Sequence, residues 1–177
     1  ALNVGAEDAQ FFANGVDTKT TGVDIVLNYS KSVGNGNRLS VGLAGNMNTL
    51  EIEKINNGAL NEFTFFGPFS QAYLEAAAPD YKFGLNLGFQ TKNLNLAATL
   101  TSFSEVILQD FQWIDSPATT QAEADALFAV ATDTYEAAIT LDLSAGYSIS
   151  NNLVLTVGAN NLLNTYPTPQ YDGWTDQ

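Results

Sequence analysis

The sequence predicts an all-β fold built from antiparallel, up-and-down strands. Three observations predict it. Six segments alternate apolar and polar residues with period two, the signature of a strand wetted on one face only. Their connections alternate between short turns and long loops. Charged residues make up 14% of the chain, against roughly a quarter in ordinary soluble domains, and Gly, Asn, Ser and Thr fill the polar positions instead.

The first strand is expected from Thr20 to Ser30, with Val23, Ile25, Leu27 and Tyr29 on one face and Gly22, Asp24, Asn28 and Ser30 on the other; Val26 departs from the alternation. The second runs from Arg38 to Asn48, where Leu39, Val41, Leu43 and Met47 oppose Ser40, Gly42, Ala44, Asn46 and Asn48. The third is Tyr81 to Gln90, with Phe83, Leu85, Leu87 and Phe89 against Gly84, Asn86, Gly88 and Gln90. The fourth is Leu94 to Ser104, the fifth Ala138 to Ile149 and the sixth Leu153 to Asn161. Lys31 to Asn37, Thr91 to Asn93 and Ser150 to Asn152 are short connections rich in turn residues. Thr49 to Asp80 and Glu105 to Glu136 are long, and no strand is expected from Leu162 to Gln177. Each long loop has room for a short helix. Phe69 to Ala78 lies between Pro68 and Pro79, and Gln121 to Thr132 is led by Thr120 with Glu123 three residues on, a capping-box spacing.

Composition removes several function classes. Nineteen acids against six bases give a net charge of −13, which argues against nucleic acid as a partner. With no Cys and no His, thiol chemistry, a Ser-His-Asp set and the commonest transition-metal ligand are all excluded. No phosphate-binding loop is present. Carboxylate pairs in the long loops, Asp110 with Asp115 and Glu123 with Asp125, leave a hydrolase reading and a loop Ca²⁺ site as formal alternatives, but such acids are normally solvated. The sequence therefore predicts no enzyme, no cofactor, and no catalytic, cofactor-binding or metal-binding residue. Loop aromatics (Phe63, Phe65, Phe66, Tyr73, Phe111, Trp113, Tyr171 and Trp174) either pack the loops together or meet a ligand, and packing is the favoured role.

No apolar run reaches the length of a membrane helix, so any membrane crossing is by strands. Alternation alone does not separate a barrel in lipid from a soluble barrel holding a small apolar ligand. Loop order favours lipid, since membrane barrels have short turns at one end and long loops at the other. Tyr29, Phe89 and Tyr147 stand on the apolar face just before short turns, where interfacial aromatics belong. The polar face carries few charges, which suits a shared lumen better than an outer surface.

Two stretches then bring a family into view. Residues 153–167 read LVLTVGANNLLNTYP, and Phe11 to Val26 reads FFANGVDTKTTGVDIV. The first resembles the GxxNLFNxYP segment near the end of TonB-dependent outer-membrane receptors, with Leu163 where that family usually has Phe; the second resembles the family's FFTNAxDTxTxGVDxV strand entry. A weaker likeness covers Glu75 to Lys82 and Ser102 to Val106. The resemblance implies a portion of a large transmembrane β-barrel of about 22 strands with long extracellular loops. Residues 1–177 would be a partial barrel of about six strands, with the plug domain, the TonB box and the final strand all lying outside the chain. The implied function is TonB-energised uptake of a scarce nutrient, siderophore-like or another large solute, in the cell outer membrane. The implied partners are the lipid bilayer, the plug and remaining barrel of the same receptor, TonB, and an unidentified solute whose contact residues the sequence does not name. Six strands cut from a barrel would also leave two open edges, which invite pairing with another chain.

Overall fold

The computed structural model describes residues 14–76, 78–109 and 118–169. Eight strands and three helices follow one another as β1 (Val16–Ser32), β2 (Arg38–Ile55), α1 (Glu62–Phe65), α2 (Pro68–Glu75), β3 (Tyr81–Gln90), β4 (Leu94–Phe103), β5 (Val106–Gln109), α3 (Gln121–Ala131), β6 (Thr132–Tyr135), β7 (Ala138–Ser150) and β8 (Leu153–Ala159). Six strands form one antiparallel sheet in the order β1-β2-β3-β4-β7-β8, and β5 and β6 form a separate pair. The all-β, antiparallel, up-and-down expectation holds. Among the described residues the large sheet is open, with β1 and β8 as its edges, and no closed barrel is formed.

The pairing register puts the expected faces together. Leu27, Leu43, Leu85, Leu100 and Leu141 stand side by side in one row across five strands. The adjacent row reads Asn28, Gly42, Asn86, Thr99 and Asp142, with the Thr99 hydroxyl 2.9 Å from Asn86 Oδ1. Opposed residues in an antiparallel pair share a face, so one slip of register would exchange leucines for asparagines along the whole sheet.

The short turns are built by the residues that the sequence places there. Gly34, Asn35 and Gly36 all take positive φ (57°, 41° and 76°), a run that only Gly and Asn tolerate well, and Val33 N and Asn37 N close the turn on Asn37 O and Gly34 O. In the β3–β4 turn the Thr91 hydroxyl accepts from Leu94 N at 2.9 Å and from Asn93 N at 3.3 Å. In the β7–β8 turn Asn152 N donates to the Ser150 hydroxyl at 3.4 Å.

The long connections depart from expectation. The first two strands are longer than expected, reaching Val16 and Ile55, with a bulge that leaves Glu53 between Lys54 (opposite Asp17) and Ile52 (opposite Thr18). Across this extension Lys19 faces Glu51 and Asp17 faces Lys54, and in β2 Leu50 and Ile52 alternate with Glu51 and Glu53 in the opposite phase to Leu39, Val41, Leu43 and Met47, so the period of the expected strand breaks off at Asn48. The expected helix at 69–78 is α2 at Pro68–Glu75, one residue earlier and shorter at its end; α1 precedes it without having been expected. The helix expected at 121–132 is α3 at Gln121–Ala131. The second long loop also holds β5 and β6, paired from Val106↔Tyr135 to Gln109↔Thr132. Four-residue strands are too short to carry a readable period.

Candidate functional site

The sheet presents two faces and two ends, and each offers different chemistry. On the apolar face the side chains are uncovered. Leu27 is 61% exposed, Tyr147 51%, Leu155 58% and Val157 61%. The buried residues among those described, Ala72, Ser104, Ala118 and Ala124, all lie in the long-loop connections. No second layer of the described chain covers the sheet.

Three aromatics on that face have a regular stagger. Tyr29 shares its row with Val41 and Leu87, and Phe89 stands two residues further toward the short turns. Phe89 shares its row with Leu96 and Ala145, and Tyr147 again stands two residues further in the same direction. Each step crosses two strands, so the rings advance by one residue per strand.

At the long-loop end the connections pack on one another. Asn61 Nδ2 donates to Thr119 O at 3.2 Å, Ile107 N to Ala76 O at 3.2 Å, and Ile52 N to Glu75 Oε1 at 2.9 Å, which ties α2 to the extended part of β2. Between them lies a cleft of about 410 Å³ whose lining includes Glu62, Glu75 and Asp125 beside Phe63 and Ile107. Phe63, Phe65 and Phe66 are half-buried, and the Phe65 ring lies against Gly15. These three fit the packing role, whereas Tyr73 is 64% exposed. Phe111, Trp113, Tyr171 and Trp174 lie outside the described residues, as do Asp110 and Asp115.

The other carboxylate pair is structural. Glu123 Oε2 accepts from the Thr119 amide and from its hydroxyl, both at 2.9 Å, while the Thr120 hydroxyl accepts from Glu123 N at 3.3 Å. This is a capping box shifted by one residue, because the carboxylate reaches Thr119 rather than the N-cap Thr120. Asp125 Oδ1 accepts from Gln121 Nε2 at 2.8 Å. The amide and then the hydroxyl of Thr119 hold the Glu123 carboxyl below its ordinary 4.5. A depressed carboxyl contributes its stabilisation in full above the ordinary value and loses it as pH falls through the lowered one. Amide protection along α3, corrected for intrinsic exchange, should therefore fall as pH drops below 4.5 in the native chain. Glu123→Gln should start from the reduced protection and show no such fall. Among the described residues no three acids converge on a metal-sized site.

The motif at the end of the sheet proves to be a clamp. Asn161 (φ 49°) donates from Nδ2 to Thr165 O at 2.8 Å and accepts at Oδ1 from Thr165 N at 3.0 Å. The reversal is tied to β7 at three points: Asn161 N to Asp142 Oδ1 at 2.7 Å, Leu162 N to Leu141 O at 2.7 Å, and the Thr165 hydroxyl to Ile139 O at 2.6 Å. Asn164 (φ 55°) closes the turn by donating N–H to Asn161 O. Asp142 is not singled out from sequence; its only signal is an acid in the part of the polar face that β7 contributes, otherwise Gly, Ser and Thr. Both motif glycines sit in close contacts on that face. A Cβ on Gly22 would come within 2.9 Å of Met47 O, and one on Gly158 within 3.1 Å of Leu143 O.

Comparison with protein-family models, with curated proteins and with solved structures finds no match to the chain.

Proposed function

We propose that this chain forms part of the wall of a TonB-dependent receptor in the outer membrane. The observation that carries the reading is the uncovered apolar face. Six strands, five of them crossed by a continuous row of leucines, with no covering layer among the described residues, would be insoluble in water, because apolar patches beyond a few hundred Å² drive association. Lipid is the solvent that suits such a face, and strands that cross lipid must belong to a closed barrel with every backbone group paired. The two open edges are then the places where neighbouring barrel strands join.

The dimensions agree. β3 and β4 have 10 residues each, the length of a transmembrane strand at about 9–11 residues. An advance of one residue per strand, with about 3.3 Å per residue and about 4.8 Å between strands, corresponds to a tilt of about 35°, within the roughly 35–45° of such barrels. At that tilt Tyr29, Phe89 and Tyr147 stand at one height, as an interfacial girdle does. From Tyr81 to Phe89 the apolar face of β3 then covers about 22 Å along the membrane normal, close to the roughly 25 Å apolar band of membrane barrels. The extension of β1 and β2 beyond Asn48 is the stretch that rises out of lipid, which accounts for its charges.

In this reading the polar face lines the lumen, beside the plug and remaining barrel of the receptor. The packed long loops form part of the outer mouth, where an unidentified large nutrient is met before TonB-energised uptake. In this reading the chain supplies wall and mouth, not a reaction centre or a nucleic-acid surface. A soluble barrel holding a small apolar ligand is the competing reading, and it requires the apolar face to be enclosed.

Density fractionation of cells expressing the full gene product tests the proposal. The protein should float with the outer membrane and need detergent for extraction. Recovery as a folded monomer in the soluble fraction would favour the competing reading.

A further inference from the structure

Charge is divided sharply between the two ends of the sheet. The short-turn rim, residues 30–38, 90–95 and 148–153, contains Lys31, Arg38 and Lys92, half of the six bases of the chain, and none of its nineteen acids. The acids among the described residues lie in the wall or toward the long loops. Loop solubility accounts for the acidic end, but it does not account for a purely basic rim at the other.

Two of these bases are placed where lipid headgroups would be. Lys31 lies opposite Leu39, in the row of Phe89, and so projects from the apolar face two residues beyond Tyr29. Lys92 is exposed at the tip of the β3–β4 turn, three residues beyond Phe89. Each cation therefore sits one short step outside the aromatic girdle, at nearly the same height. Arg38 shares that height but lies on the polar face, in the row of Gln90 and Asn95.

The apolar face next to them is hollowed. Ala98, Ala145 and Ala159 leave a shallow depression of about 480 Å³ between Leu39 and Leu87 on one side and Val157 on the other. Its edge residue Leu39 is the cross-strand partner of Lys31. An acyl chain fits such a hollow, and a phosphate above it meets an ammonium group on a long stem able to snorkel to the interface.

We infer that the short-turn rim is a docking surface for anionic phospholipid, with the phosphate at Lys31 and Lys92 and an acyl chain in the alanine-floored hollow. The inference rests on the membrane reading above. Juxtamembrane bases attract anionic lipid over a Debye length, and salt weakens the attraction.

The test uses the full receptor reconstituted in vesicles, with a fluorophore on a cysteine introduced at Asn93 and a second labelled position at Tyr29. Quenching by dibrominated phosphatidylglycerol is compared with quenching by dibrominated phosphatidylcholine at equal mole fraction. At Asn93 the anionic lipid should quench about twofold more strongly. The preference should vanish in Lys31→Gln/Lys92→Gln and in high salt. Equal quenching by both lipids, or a preference that survives the double substitution, would overturn the inference and leave the membrane reading standing. No quenching by either lipid at Asn93 and at Tyr29 would overturn both.

Discussion

Arginine at position 85 should lower the folding free energy in phosphocholine vesicles by about 2–4 kcal/mol, while arginine at position 44 should change it by less than about 1 kcal/mol. The two positions are matched in depth. Leu85 lies four residues from Phe89 on β3, and Ala44 lies opposite Gly84, one row away. Both stand near the middle of the apolar band, but they face opposite sides of the sheet. Leu85 belongs to the leucine row, so a guanidinium there must be dragged into hydrocarbon or bend the strand to reach water. Ala44 lies on the opposite, polar face, in the row of Val26, Gly84 and Thr101, with room beside it, since a Cβ on Gly84 would meet only Ala44 O, at 3.8 Å. Reversible denaturant titration in the full receptor measures both. Equal penalties would mean that the two faces see the same solvent.

The second large effect concerns the clamp after β8. Asn161→Ala removes the two amide bonds to Thr165, each contributing about 0.5–1.5 kcal/mol. It also leaves a residue with a Cβ, and no compensating local bond, at φ 49°, which costs about 1–2 kcal/mol more. The sum is a loss of about 2–5 kcal/mol. Asn161→Gly relieves the backbone cost and should lose about half as much. Asn160→Ala, one residue earlier at an exposed bend just after β8, should stay within about 0.5 kcal/mol. This gradient identifies the motif asparagine as a backbone clamp. A loss at Asn160 equal to that at Asn161 would contradict it.

The sheet was legible because its period is local. Leu39, Val41 and Leu43 declare a face within five residues, and Gly34-Asn35-Gly36 declares a turn within three. Nothing in that period says which solvent the apolar face meets. The register adds a relation among residues far apart in sequence, with Tyr29, Phe89 and Tyr147 on rows stepping by one residue per strand, and that relation supports the proposal of lipid. The loop elements were partly legible. Thr120 and Glu123 marked α3 through a fixed local spacing, although the carboxylate turned to Thr119. The β5–β6 pair was not legible, because Val106–Gln109 and Thr132–Tyr135 gain their partners across a long loop and are too short for alternation to show. The clamp was half legible. Asn161 and Tyr166 belong to a recognisable segment, but the purpose of Asn161 depends on Asp142, which is joined to it only by the fold. The two lysines of the short-turn rim were visible as residues, yet their common height requires the register.

The central claim is that the leucine-bearing face of the sheet meets lipid and the asparagine-bearing face meets water. Spin labels placed one at a time from Phe83 to Phe89 on β3 of the reconstituted receptor test it most directly. Accessibility to oxygen should peak at positions 83, 85, 87 and 89, and accessibility to a water-soluble nickel chelate should peak at 84, 86 and 88. The same period with the two reagents exchanged, or no accessible apolar positions at all, would contradict the account and favour an apolar face enclosed within a soluble barrel.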